Sequence, residues 1–260
     1  MKDNKAPIID YFEDEGIITP SNVTEKEQTL PKHIETAIIL FERRLNLDIF
    51  KECVPFYEFR GGSYVIPQFI YDNKIVISLA PLGSSAAAGL MENLIALGVK
   101  RFIACGSAGC IDKNIDSSSF VIVDKAIRDE GTSYHYLPSS LTVSLDKDLI
   151  NHIERQMKKM NLDYFRGTTW TTDGFYRETP ERINLRINQG AICVEMECSA
   201  FAAVALYRKV QFAQILYFSD IVHQQIWSGF VSNTKEIKAK LNEITLNIAL
   251  SLLEEGLQEN

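Results

Sequence analysis

Three short runs of apolar residues constrain this chain most: Thr36-Ala37-Ile38-Ile39-Leu40-Phe41, Arg101-Phe102-Ile103-Ala104-Cys105 and Phe212 to Phe218. A strand with one wet face alternates apolar and polar side chains, whereas a short unbroken apolar run belongs to a strand covered on both faces. Ser85 to Leu97, rich in small residues and closed by Gly98 at the position of a C-cap, reads as a helix. It links the buried strand predicted to end at Leu79 to Arg101–Cys105, a strand-helix-strand unit. Val54–Phe59, Tyr64–Tyr71 and Lys74–Leu79 are β-branched and aromatic runs split by Gly61-Gly62 and Asp72-Asn73, which predicts antiparallel hairpins.

Farther along, Ser119–Ala126, Phe165–Thr172 and Ile192–Val194 read as strands. Leu149, Ile153, Met157 and Met160 recur at helical spacing, so Asp146–Met160 is predicted as an amphipathic surface helix with His152 solvated. A C-terminal helix is predicted to open at Asn233, with Glu236 completing a capping box and Ile237, Leu241, Ile244, Ile248 and Leu252 on one face. The fold class expected is α/β: a single domain with a mixed, mostly parallel central sheet flanked by helices in three α/β/α layers. Residues 1–33 are predicted to form an N-terminal arm docked on the core through Pro7-Ile8-Ile9 and Gly16-Ile17-Ile18, and residues 34–260 the domain itself.

Composition excludes several functions. A net charge of −7 with no long basic run argues against a nucleic-acid partner. Five cysteines, at 53, 105, 110, 193 and 198, contain no CxxC pair and lie mostly in apolar runs, which predicts reduced core thiols and a cytoplasmic location. The four histidines lack metal-ligand spacing, so no metal site is expected. The polar N-terminus does not resemble a secretory signal, and no apolar stretch is long enough for a membrane span.

In sheets of this kind ligands bind beyond the carboxyl ends of the strands. That rule selects Gly106-Ser107-Ala108-Gly109, Glu195-Met196-Glu197 and Ser219-Asp220. Glycines there allow close approach of a ligand, and a hydroxyl beside free N–H groups suits an anion; the same four residues also suit a tight strand-to-helix turn. Carboxylates embedded in a core-like segment need donors, and a sugar with vicinal hydroxyls supplies them. Glu195 and Glu197 equally suit the first turn of a helix starting near Val194, where negative charge is favoured. Asp220 reads either as a buried acid or as a cap of the next element.

Taken in order, these motifs resemble the nucleoside phosphorylases of the uridine phosphorylase and hexameric purine nucleoside phosphorylase type, which are related to the methylthioadenosine/adenosylhomocysteine nucleosidases. The resemblance runs from about Lys74 to Asp220. Val194-Glu195-Met196-Glu197 is similar to the family's ribose-binding signature, Gly106 to Ile111 to its phosphate turn, and Arg128 to Tyr136 to its RxDGxSxHF-type loop. Thr172-Asp173-Gly174-Phe175-Tyr176 is similar to its base-stacking segment, and Ser219-Asp220 to the Ser-Asp of purine-cleaving members.

The resemblance implies phosphorolysis of a (deoxy)ribonucleoside to free base and (deoxy)ribose 1-phosphate, with phosphate as co-substrate and no other cofactor. Glu197 would hold the ribose hydroxyls through an oxocarbenium-like transition state, and Asp220 would protonate the leaving base. Glu195, Met196, Phe175, Gly109 and Arg182 are the implied substrate-binding residues, and Gly106, Ser107 and Arg60 the implied phosphate-binding ones. Arg60 would come from a neighbouring copy, since the family implies a homo-oligomer, a dimer or a hexamer built as a trimer of dimers. No nucleic-acid or membrane partner is expected. The chain departs from the pattern in carrying Phe41 where the family has a glycine, and Ala104 where it has a phosphate arginine. Those departures keep open a phosphate-independent nucleosidase and a catalytically silent nucleoside-binding protein.

Overall fold

The computed structural model describes residues 10–23, 29–62, 64–223, 226–230 and 234–258. Pro7-Ile8-Ile9 and the capping position Asn233 lie outside the described residues. β1 (Thr36–Leu40) and β4 (Ile75–Leu79) are buried at every position, Thr36 and Ser78 included, as suits strands covered on both faces. β1 pairs in parallel with β4 on one side and with β5 (Arg101–Cys110) on the other. β2 (Cys53–Arg60) and β3 (Val65–Tyr71) extend this part of the sheet as antiparallel hairpins, turning at Gly61-Gly62 and at Asp72-Asn73. Asp72 and Asn73 take positive φ of 46° and 52°, a conformation that Asp and Asn tolerate better than most residues.

The remaining strands are β6 (Phe120–Asp129), β7 (Thr142–Ser144), β8 (Tyr164–Thr172), β9 (Ala191–Glu195), β10 (Gln211–His223) and β11 (Ile226–Phe230). All belong to one 11-stranded mixed sheet. β5 pairs with β10, β10 with β6, β6 with β8, β8 with β9, and β9 returns to β5, so part of the sheet closes on itself. This closure departs from an open sheet. It arises because β5 and β10 are longer than their apolar runs and continue past the point where β1 ends.

The helices are the short α1 (Pro20–Val23), then α2 (Ser84–Ala96), α3 (Lys147–Lys159), α4 (Pro180–Asn188), α5 (Cys198–Arg208) and α6 (Thr234–Gln258). α2 and α5 pack together, and α3 lies against α6. Cys198 to Ala205 in α5 are all buried, which small side chains such as Ser199, Ala200, Ala202 and Ala203 make feasible at close range to the strands. Gly98, at φ 110°, ends α2 as its position implied. Ile237 and Leu252 pack partly buried beside the buried Leu241, Ile244 and Ile248, so the predicted face of α6 does meet the core.

Two expectations are corrected. Ile17 and Ile18 are 99% and 79% exposed, so this part of the arm does not bury its apolar side chains. His152 is buried rather than solvated: its Nδ1 lies 3.0 Å from Glu255 Oε2 and its Nε2 2.9 Å from Ser251 Oγ. Both partners sit on α6, roughly a hundred residues away, beyond the reach of local periodicity.

Candidate active site

β1 stops at Leu40 opposite Cys105, while β5 runs on through Gly106-Ser107-Ala108-Gly109-Cys110 as strand. The expected turn at Gly106 is therefore absent, because the closing sheet supplies new partners: Ser107 and Ala108 pair with Tyr217 and Phe218 of β10, and Gly109 with Val194 of β9. Where β1 leaves off, Phe41 lies across β5. A Cβ on Gly106 would come within 2.8 Å of the Phe41 ring, and that ring meets Phe201 edge-on at 6.2 Å.

The β10–β5 ladder shifts register between Phe218, opposite Ala108, and Asp220, opposite Gly109. This irregularity at Ser219 re-aims the side chains that follow, as bulges do. Asp220 Oδ1 accepts a hydrogen bond from Ser219 Oγ at 2.8 Å, and Oδ2 accepts one from Trp227 Nε1 at 2.9 Å. Gly109 makes the approach feasible, since a Cβ there would meet Val194 at 3.1 Å and Val222 at 3.2 Å.

β9 delivers the carboxylate pair, and its two members have different fates. Glu195 faces donors on both oxygens: Thr171 Oγ1 at 2.5 Å and Thr169 Oγ1 at 3.4 Å on one, the backbone N–H groups of Glu197 and Cys198 at 2.7 Å on the other. It thereby satisfies free N–H groups at the start of α5. The two readings of the motif thus divide between its residues, with Glu195 anchoring the helix. Glu197, 4% exposed, accepts the Gly83 N–H at 2.6 Å and lines the cleft. Gly83 takes φ 95°, a conformation glycine adopts without strain, and Ser84 Oγ donates to Met196 O at 2.7 Å, which stitches the loop before α2 to the motif.

These pieces surround a cleft of about 280 Å³, lined by Ser107, Ala108 and Gly109 from β5, Val194 to Glu197, Ser219 and Asp220 from β10, with Phe175 and Trp227 toward solvent. Phe41, Leu82, Glu178 and Gln214 complete the lining. The three strand-end segments selected from the sequence therefore meet in one place, together with Phe175, which is 49% exposed and packs edge-on against Tyr176 at 5.0 Å.

Other expected residues lie elsewhere. Gly106 sits beneath Phe41 rather than on the cleft wall. Arg60 is on the β2–β3 hairpin, its side chain 70% exposed and paired with Glu58 at 2.6 Å. Arg182, at the start of α4, approaches Asp129 at 4.0 Å and does not line the cleft. Within the Arg128–Tyr136 segment, Arg128 is buried and donates to Ser133 Oγ, Pro138 O, Leu137 O and Ser140 Oγ, while Glu130 accepts from Ser199 Oγ at 2.8 Å. That segment braces α5; His135 faces a different, larger cleft beside the N-terminal arm.

Electrostatically the cleft is acidic. Glu178, Glu195, Glu197 and Asp220 line it, and no lysine or arginine does among the described residues. Burial raises the carboxyls of Glu195 and Glu197 above the ordinary range; the charge of Glu195 adds to the rise at Glu197, whereas the four donors at Glu195 oppose it there. Glu178 is pushed up to about 7 by burial and then by the charge of Asp220. Glu178 and Trp227 escaped the sequence reading because their segments carry no signature, and Gln214 because it is a lone polar residue inside the apolar run Phe212–Phe218; an acid two residues from an aromatic turn was the single visible hint.

Residues 37–252 match the family model of the Phosphorylase superfamily. The chain belongs to that superfamily. It is 29% identical over 170 residues to a purine nucleoside phosphorylase DeoD-type of Buchnera aphidicola subsp. Schizaphis graminum, covering 65% of this chain and 71% of that protein. It is 25% identical over 147 residues to a guanosine phosphorylase of Halorubrum lacusprofundi, covering 56% and 61%. A uridine phosphorylase of Haemophilus influenzae is 25% identical over 108 residues, covering 42% and 43%. The relatives are thus nucleoside phosphorylases that differ in the nucleoside they are named for. No helix among the described residues is long and apolar enough to cross a membrane.

Proposed function

We propose that this protein cleaves the N-glycosidic bond of a nucleoside, with phosphate as the attacking group, to give the free base and a pentose 1-phosphate. The observation that carries the cleavage reading is Glu197, a buried carboxylate on the wall of a cleft that also presents Phe175 and Asp220. A carboxylate there accepts hydrogen bonds from the two ribose hydroxyls and stabilises positive charge as it develops on the sugar ring. Met196 lies against the apolar face of the sugar, Phe175 stacks on the base, and Asp220 stands beside it. Glu195 serves by fixing the start of α5, from which Glu197 projects.

Phosphate as the nucleophile is supported by the family and by the names of its relatives. Ser107 and the backbone of β5 would hold it, and Arg60 of a second copy would bring the positive charge, in a homo-oligomer. A second reading replaces phosphate by water. It is favoured by the Phe41 ring over Gly106 and by an acidic lining without a cation among the described residues, a poor match for a dianion. Five unpaired thiols, four buried and Cys53 half-buried, fit a cytoplasmic enzyme.

The test is to incubate the protein with a purine and pyrimidine nucleoside panel, with and without phosphate, and to follow free base by chromatography. Release that needs phosphate supports phosphorolysis. Equal release without it supports hydrolysis. No release, with nucleosides raising the melting temperature, would reduce the site to binding alone.

A further inference from the structure

We propose that Glu178, rather than Asp220, carries the proton that the departing base takes up. This rests on the glycosidic-cleavage reading given above. Glu178 follows the short 3₁₀ turn of Phe175–Arg177 and lines the cleft with Phe175, Asp220 and Trp227, so the two acids and the stacking ring border the same space.

The two acids are not equivalent. Asp220 already accepts on both oxygens, from Ser219 and from Trp227, so it is placed as an acceptor, with lone pairs left for a further N–H. The Glu178 carboxyl has no hydrogen-bond or ion-pair partner among the described residues, while it is partly withdrawn from water. Asp220 on β10 is near enough for its charge to act on Glu178, and the other charged groups lining the cleft are Glu195 and Glu197 at the β9–α5 junction; Arg177, its neighbour in sequence, is exposed. Every charge on the cleft wall around it is therefore negative, which favours the protonated acid. Its rise to about 7 follows from burial and from Asp220.

In the step itself, the bond between C1′ and the base nitrogen breaks and its electron pair passes to the base. The Glu178 proton moves to a ring nitrogen of the base, leaving Glu178 as a carboxylate. The attacking oxygen forms the new bond to C1′. Asp220 positions the base by accepting one of its N–H groups.

The experiment compares wild type, Glu178→Gln and Asp220→Asn on a natural nucleoside and on p-nitrophenyl riboside, whose leaving group departs without protonation. For wild type, kcat/KM on the nucleoside is expected to fall as pH rises through about 7. Glu178→Gln is expected to lose about 10²–10⁴-fold on the nucleoside and its alkaline limb, yet to stay within a few-fold of wild type on the nitrophenyl riboside. Asp220→Asn should keep the alkaline limb. Near-UV circular dichroism confirms that each variant is folded. A Glu178→Gln enzyme with wild-type turnover of the nucleoside, or an alkaline limb lost in Asp220→Asn and kept in Glu178→Gln, overturns the assignment while the cleavage reading stands. A wild-type protein that releases neither base nor nitrophenol overturns both.

Discussion

Replacing either glutamate of the Val194–Glu197 motif by glutamine should separate architecture from chemistry. In Glu195→Gln the amide keeps one acceptor oxygen, which must serve either the two backbone N–H groups of Glu197 and Cys198 or the two threonine hydroxyls. If the oxygen stays on the N–H pair, those bonds lose the strength of a charged acceptor, and the NH₂ faces Thr171, whose Oγ1 already accepts from Ser199 N at 3.0 Å. Hydrogen bonds to charged groups contribute about 1.5–3 kcal/mol against about 1 for neutral ones, and an orphaned buried donor costs about 1–3. The sum is about 3 kcal/mol, or roughly 6–12 °C in Tm for a chain of this size. Glu197→Gln instead removes a buried charge that has Glu195 beside it and keeps an oxygen for the Gly83 N–H. It should melt at or above the wild-type temperature while turnover falls by orders of magnitude. Differential scanning fluorimetry and base release measure both quantities. A Glu195→Gln protein melting within about 2 °C of wild type, or a Glu197→Gln protein destabilised equally, would refute the division between anchor and site.

Four other outcomes follow from the same geometry. Because the folded-state carboxyl of Glu197 is raised, the native protein binds more protons than the unfolded chain above the ordinary carboxylate range; stability should fall as pH rises through that interval, less steeply in Glu197→Gln, as read by urea unfolding at several pH values. Gly106→Ala should cost about 1–3 kcal/mol by forcing Phe41 aside, and adding Phe41→Ala should recover part of the loss, a non-additivity that a double-mutant cycle reads directly. His152→Ala leaves Ser251 and Glu255 without their partner on α3 and should cost about 1–3 kcal/mol, with faster hydrogen exchange in α6. Native protein treated with N-ethylmaleimide should be modified at Cys53 alone and slowly, its thiol pushed up to about 12 by burial, and at all five cysteines once unfolded, as mass spectrometry would show.

Much of the architecture was legible in the chain because it rests on local pattern. The mostly apolar runs at Thr36–Leu40 and Ile75–Leu79 specify strands buried on both faces, Asp72-Asn73 specifies a hairpin turn, and Gly98 ends α2. The rule that ligands gather at strand ends was enough to bring Ser107, Glu197 and Asp220 to one cleft. What local pattern does not carry is pairing at a distance. That β5 continues through Gly106 to Cys110 depends on β9 and β10 supplying partners far along the chain. That His152 is buried depends on α6. The tertiary structure also decided between residues the sequence treats alike. Glu195 and Glu197 are the same side chain two positions apart and both border the cleft, yet four donors occupy the first while the second accepts the Gly83 N–H, because Glu195 ends β9 and Glu197 has already left the strand to cap α5. Glu178 became visible in the same way, a carboxyl of no evident motif that acquires meaning from the cleft it lines, and Phe41, already set apart by standing where the family has a glycine, proves to lie over Gly106.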